Sequence, residues 1–282
     1  MNYSKIFVTG GCGFIGKNTV LALRNKYNCK IIVLDNVISN KINNVDYYEI
    51  DITNYNNLLD FFKEHCKTDN QSILIYHFAA LSNTTQCILN PILCNNVNIT
   101  GTLNIFEIGK IINAKKIICC SSHVVLDGNH PLKVTKITVE NYCNLYNSLY
   151  KQSITCLRYA AIYGKNQIGG NVLNAFRNSI KKNNYITIFG DGKQERDFLH
   201  ISDCIDANLK AAQSNFKGIL DICTGKMTSL NYIAKNLFKS QIKYKEKRQG
   251  DAQTFNQNPL PATEKINFKY KINIEDGIKD YL

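Results

Sequence analysis

The feature that most constrains this chain lies in its first 27 residues. "KIFVTG", Lys5 to Gly10, is a short, apolar, β-prone run that ends in glycine. The sequence "FIGKNTVLALRNKY" follows almost at once, with apolar residues at helical spacing. A buried strand that turns through glycines straight into a helix is the opening of a parallel-sheet crossover. The glycines Gly10, Gly13 and Gly16 have the spacing G-x-x-G-x-x-G. Such a turn lets the backbone approach a pyrophosphate, and the helix N-terminus adds unpaired N–H groups and a positive dipole end. A glycine-rich turn without a ligand is the alternative, and the strand before and helix after argue against it.

The same alternation continues. "KIIVLD" (Lys30 to Asp35), "YYEIDI" (Tyr47 to Ile52), "ILIYHFAA" (Ile73 to Ala80), "KKIICCSS" and "SITCLR" read as strands. "NLLDFFKEH", "NNVNITGTLNIFEIGKII" and "ITVENYCNLYNSLYK" read as helices between them. Strands apolar on both faces, separated by helices, imply a parallel sheet covered on both sides. Right-handed crossovers make that an α/β fold of the Rossmann type, a doubly wound parallel sheet. Beyond Arg158 the pattern loosens into shorter strands ("YITIF", "DFLHI", "GILDICTG") and helices near Val172 to Ile180 and Asp203 to Gln213. The expected division is a dinucleotide-binding domain over 1–162 and a smaller C-terminal lobe over 163–282, with some exchange of segments. Asp35 closes the second strand about twenty residues after the glycines, where an acid receives the adenosine ribose hydroxyls. A carboxylate there repels a 2′-phosphate, so NAD is expected rather than NADP, and Asn36 beside it is compatible with that.

Composition narrows the partners. The net charge is +12. The lysines are spread along the chain with no basic stripe and no interleaved aromatics, so nucleic acid is not expected. A positive field suits an anionic small molecule. Eleven cysteines run from Cys12 to Cys223, an odd number with no C-x-x-C pair. Neither a disulfide framework nor a metal site is expected; buried free thiols are. No apolar run is long enough to span a bilayer. "MNYSKIFVTGG" carries no signal-peptide pattern, so the expected location is cytoplasmic.

Read together, the motifs resemble the extended short-chain dehydrogenase/reductase family, the NAD-dependent nucleotide-sugar epimerases and dehydratases. "VTGGCGFIG" is similar to its cofactor loop, "DI" at Asp51–Ile52 to its adenine contact, and "YHFAA" (Tyr76 to Ala80) to the loop lining the cofactor. "NITGTLN" (Asn98 to Asn104), "SSHVVLDG", "LRYAAIYG", "IFGDGKQERDFLHISD" and "KRQGD" (Lys247 to Asp251) resemble later motifs in the family's order. The resemblance implies that Gly10, Gly13, Phe14, Ile15, Gly16, Asp35, Asn36, Asp51, Ile52, Phe78, Ala79, Ala80, Asn98 and Lys136 surround NAD. It implies that Arg196 and Arg248 clamp the diphosphate of a nucleotide-diphosphate sugar, for which the arginine fork is suited. A structural ion pair is the other reading of Arg196. It also implies a homodimer through "VTKITVENYCNLY" and "NNVNITGTLNIFEIG".

In that family a tyrosinate takes a sugar hydroxyl proton as the carbon gives up hydride to NAD. A lysine four residues on lowers the tyrosine's pKa, and a Ser or Thr bonds the same hydroxyl. By the resemblance Ser122 is the serine and Lys136 the lysine. The tyrosine position in "HPLKVTKITVE" is then Leu132. Pro131 before it and Glu140 at K-x-x-x-E after it hold the register, and neither Tyr142 nor Tyr146 has a lysine four residues on. The substrate-contacting Asn of the family is here Ala161. His123–Val124 replaces the acidic pair of the dehydratases, which argues against 4,6-elimination. His123 is a candidate acid/base at neutral pH, or a histidine packed at a strand end. His130 is a weaker candidate. Two functions are expected in that order: an epimerase working through transient oxidation of a hexose hydroxyl, or a non-catalytic relative that binds NAD and a sugar nucleotide.

Overall fold

β1 (Lys5–Thr9) is buried from Ile6 onward and leads into α1 (Phe14–Lys26), which buries Gly16, Thr19, Val20 and Leu23 on one face. In the computed structural model, which describes residues 3–66, 71–167, 169–247 and 256–281, the alternation then continues. It runs through β2 (Lys30–Asp35), β3 (Asp46–Glu49), α2 (Tyr55–His65), β4 (Ile73–His77), α3 (Thr84–Leu89) and α4 (Pro91–Asn95). A π-helical turn at Asn96–Thr100 joins α4 to α5 (Gly101–Ile111); β5 (Lys116–Ser122), α6 (Pro131–Leu149), β6 (Ile154–Tyr159) and β7 (Ala161–Tyr163) follow. The remainder holds α7 (Val172–Asn183), β8 (Tyr185–Phe189), β9 (Glu195–His200), α8 (Ile201–Gln213), β10 (Gly218–Ile222), β11 (Met227–Ser229), α9 (Leu230–Tyr232), β12 (Gln241–Lys245), α10 (Leu260–Ile266) and α11 (Ile274–Gly277).

The main sheet has seven strands in the order β10-β6-β5-β4-β1-β2-β3, every neighbour parallel. This is the Rossmann order, with the topological switch between β1 and β4. One face packs on α1 and α8, where Val20, Leu23, Cys204 and Ala211 are buried. The other packs on α2, α5 and α6 through Leu58, Phe62, Ile105, Phe106 and Val139. A separate core of Tyr163, Phe176, Ile186, Ile188 and Phe198 lies with the small sheets β11-β9-β7 and β12-β8. β10 extends the main sheet beside β6, and Asn208 of α8 joins Tyr159 Oη (2.7 Å) to Thr19 Oγ1 (3.1 Å). The chain on either side of residue 162 is therefore interleaved.

Element ends differ from expectation for local reasons. The strand read at Tyr47 to Ile52 stops at Glu49, because the Asp51 carboxylate accepts from Thr53 N (2.8 Å) and Thr53 Oγ1 (2.9 Å) and turns the chain. α6 begins earlier than the apolar pattern did, at Pro131, whose missing N–H costs nothing at a first helical position. His130 is its N-cap, Nδ1 accepting from Lys133 N at 3.1 Å, so that imidazole is spent on structure. Asparagine does much of the turning: six of the eight described non-glycine residues with positive φ are Asn, the residue type that best tolerates that region after glycine. Among the described residues no helix is long and apolar enough to cross a membrane.

Candidate cofactor and substrate site

The glycine turn lies at the switch point, outside the C-terminal end of β1, where open α/β sheets bind ligands. Gly10 has φ +68°, and a Cβ there would lie 2.5 Å from Ala79 N. At Gly16 a Cβ would lie 2.1 Å from Gly10 O. Gly13 is the N-cap of α1 and supplies no side-chain cap, so the first amides of that helix face the turn without a side-chain acceptor. Phe14 and Ile15 form the first turn of α1 and pack onto the core from its edge. Asp35 ends β2; its Oδ2 accepts from Cys12 N (2.9 Å) and its Oδ1 from Val37 N (3.3 Å), which ties the carboxylate to the glycine turn. Asn36 is exposed beside it, Asp51 is exposed after β3, and Ile52 is buried against Gly101.

Phe78, Ala79 and Ala80 follow β4, all half-buried, with Phe78 N donating to Thr9 O. Asn98 departs from a direct lining role. It is 1% exposed; Oδ1 accepts from Leu81 N (2.8 Å), and Nδ2 donates to Leu81 O (3.0 Å) and Thr135 Oγ1 (3.1 Å). Its amide is consumed in fastening this loop to α6. His77 is equally internal, set between Thr9 Oγ1 (2.7 Å) and Thr102 Oγ1 (2.9 Å), and burial, helped by Lys136, pushes it down to about 3. It stays a neutral bridge between β1 and α5.

β5 and α6 bring the remaining candidates together. Lys136 is buried, and its Nζ donates to Cys120 O (3.0 Å) and contacts Cys120 Sγ (3.6 Å), two residues before Ser122 at the same strand end. Burial opposes its charge; the sulfurs of Cys120, Cys119 and Cys156 outweigh that, and the pKa lies above the ordinary lysine value. Ser122 is half-buried and its hydroxyl accepts from Val124 N at 3.4 Å. His123 Nδ1 meets Tyr159 O at 3.1 Å. A carbonyl only accepts, so Nδ1 carries the proton. Desolvation, with Arg196 nearby, pushes His123 down to about 4, so the ring is neutral at pH 7. Leu132 is 3% exposed and packs with Cys87, Cys94, Leu81 and Val124. The residue four before Lys136 thus sits in an apolar cluster. Ala161 is buried at the start of β7.

Arg196, on β9, is half-buried, with Nη1 donating to Glu195 O (2.7 Å) and its charge acting on His123. Arg248 lies outside the described residues. A cavity of about 510 Å³ lies elsewhere, between β11 and the segment Tyr270–Glu275. None of the candidate residues above lines it; the chemistry-bearing groups are at the sheet's C-terminal edge instead. All eleven cysteines are free thiols, seven of them buried, Cys119, Cys156 and Cys223 included; Cys120 is half-buried. Sequence reading did not anticipate Thr135 or the buried carboxylate of Glu140 as parts of this edge, since neither role follows from spacing.

The model of the NAD-dependent epimerase/dehydratase family matches residues 6–223. The chain belongs to that family. A provisionally named UDP-glucose 4-epimerase of Methanocaldococcus jannaschii is 32% identical over 97% of this chain and 96% of its own. Among solved structures, the UDP-glucose 4-epimerase of Thermotoga maritima with UDP-glucose superposes with TM-score 0.89 at 27% identity, covering 98% of this chain and 96% of that one. The UDP-N-acetylglucosamine 4-epimerase of Methanobrevibacter ruminantium in complex with UDP-N-acetylmuramic acid does so with TM-score 0.85 at 25% identity, covering 100% and 99%. The cofactor of this epimerase/dehydratase family member is NAD. The residues fit it: the close-packed turn at Gly10 and Gly16 admits no side chain, the α1 amides beside it lack a side-chain cap, and the Asp35 carboxylate at the end of β2 is tied to that turn.

Proposed function

We propose that this family member is a nucleotide-diphosphate-sugar epimerase whose proton acceptor is not at the usual place. NAD, when bound, supplies the hydride acceptor for a ring hydroxyl carbon. The side chains then have separate tasks. Lys136 presents a buried ammonium at the floor beside Cys120. Ser122 offers a hydroxyl at the end of β5. Arg196, with Arg248, takes the diphosphate. The homologues' UDP-sugar names and the +12 charge support an anionic nucleotide sugar. His123 accepts the hydroxyl proton in this reading, being neutral at pH 7. With its pKa pushed down to about 4 it is a weak base, so turnover is slow. The observation that carries the reading is the neutral His123 beside Ser122 and Arg196, on an edge otherwise kept for NAD.

One observation favours the second reading, a non-catalytic NAD- and sugar-nucleotide-binding relative: Leu132 is locked among Cys87, Cys94, Leu81 and Val124. Loss of a general base alone costs roughly 10²–10⁴ in rate. The test is incubation with a panel of nucleotide sugars and NMR of the products. Slow 4-epimerisation abolished by His123→Ala supports the first reading. No turnover at all, with activity gained by Leu132→Tyr, sinks it in favour of the second.

The protein in this reading is a homodimer. Ile88, Leu89, Ile92 and Leu93 on α3 and α4, and Val134 on α6, are each more than half exposed, and these helices pack on one another. A second copy laid against them buries that apolar face.

A further inference from the structure

Glu140 stands one turn beyond Lys136 on α6, and both side chains are buried. Residues at this spacing share a helix face. The Glu140 carboxylate accepts from Ser121 Oγ (2.6 Å), from Arg158 Nε (3.0 Å) and from Arg158 Nη2 (2.8 Å). Ser121 is the residue before Ser122 on β5, and Arg158 lies on β6, paired in register with Ser121. Arg158 is held from its other side by Asp221 of β10 (3.1 Å), whose Oδ2 also accepts from Asn258 N (3.1 Å). One carboxylate therefore fastens the helix bearing Lys136 to the strand bearing Ser122, and the Asp221–Arg158 pair anchors that carboxylate to the far edge of the sheet. Charge-assisted, bidentate contacts of this kind hold geometry more tightly than packing alone. A buried acid so close to the site is tolerated because three donor groups satisfy it.

We propose that Glu140 is a positioning residue that sets the separation of Ser122 and Lys136, and so the fit of the nicotinamide half of NAD. This rests on the reading that Lys136 faces that half of the cofactor. Glu140→Ala strands the Arg158 guanidinium and endangers folding, so two milder changes carry the test. Ser121→Ala removes one hydrogen bond and leaves the ion pair; Glu140→Gln keeps the volume and removes the charge. Binding is measured by calorimetry at 25 °C on protein shown to be folded by circular dichroism, with NAD and with ADP, which has no nicotinamide half. The expected result is NAD affinity weaker by about fivefold for Ser121→Ala, the worth of one hydrogen bond, and weaker still for Glu140→Gln, with ADP affinity unchanged in both. Lys136→Met is the control and weakens NAD but not ADP. Should Lys136→Met weaken NAD while the other two bind it like wild type, Glu140 has a structural role only and the proposal is wrong. Equal loss of NAD and ADP in the two variants overturns it as general loosening. An unaltered NAD affinity in Lys136→Met removes the underlying reading of Lys136 instead.

Discussion

Lys116 opens β5 and is 1% exposed, a buried ammonium that forms no salt bridge among the described residues. Its Nζ donates to Phe216 O, and Thr155 Oγ1 donates to the same carbonyl at 2.7 Å. Burial, with Lys217 nearby, pulls its pKa down from 10.5 to about 8. At about 1.4 kcal/mol per unit, holding the cation in the native state costs ~3 kcal/mol at neutral pH. Lys116→Met keeps the unbranched stem and removes the charge. It forfeits a hydrogen bond worth ~1 kcal/mol, and Thr155 still satisfies the Phe216 carbonyl, so the carbonyl is not orphaned. The variant is expected to be more stable by ~2 kcal/mol at pH 7, a rise in melting temperature of roughly 3 °C. The pH dependence follows from the direction of the shift. A lysine whose folded pKa is lowered carries its full penalty below the folded value and sheds it as pH climbs to the unfolded one. Wild type should therefore close the gap on Lys116→Met between pH 8 and 10.5. Urea denaturation of both proteins at pH 7 and pH 10 measures this. A variant no more stable than wild type at pH 7, or a difference that does not shrink with pH, refutes the account.

Two further outcomes are expected. Gly16→Ala places a methyl 2.1 Å from Gly10 O, so the turn must open; calorimetry should show NAD affinity reduced at least about tenfold with the fold retained, and unchanged affinity would remove the glycine turn from the cofactor site. Sedimentation should return a dimer mass, and Leu89→Glu with Ile92→Glu should yield a monomer; a wild-type monomer at tens of micromolar would contradict the proposed use of that face.

The doubly wound sheet was legible in the sequence because parallel strands buried on both faces are written as unbroken apolar runs, and "KIFVTG" followed by glycines admits few other openings. The places of the glycine turn and of Asp35 were legible for the same reason: they follow from backbone shape and from position at a strand end, both local properties. Leu132 was legible as an absence, since spacing to Lys136 is fixed along one helix. What Leu132 does was not, because its cluster draws on Cys87 and Cys94 from two other helices. Asn98 illustrates the same limit. Its motif marked it as part of the site, but only the folded chain shows its amide spent on Leu81 and Thr135. His123 could be named from sequence as a candidate or a packed residue; its tautomer comes from Tyr159, and its lowered pKa from burial with Arg196 adding to it, residues 36 and 73 positions away in the chain. The buried Glu140–Arg158–Asp221 network joins a helix and two strands, and no spacing in the sequence announces it. Local periodicity decides which elements form, while hydrogen bonds and charges act over a few ångströms and so answer to tertiary neighbours that the sequence places far apart.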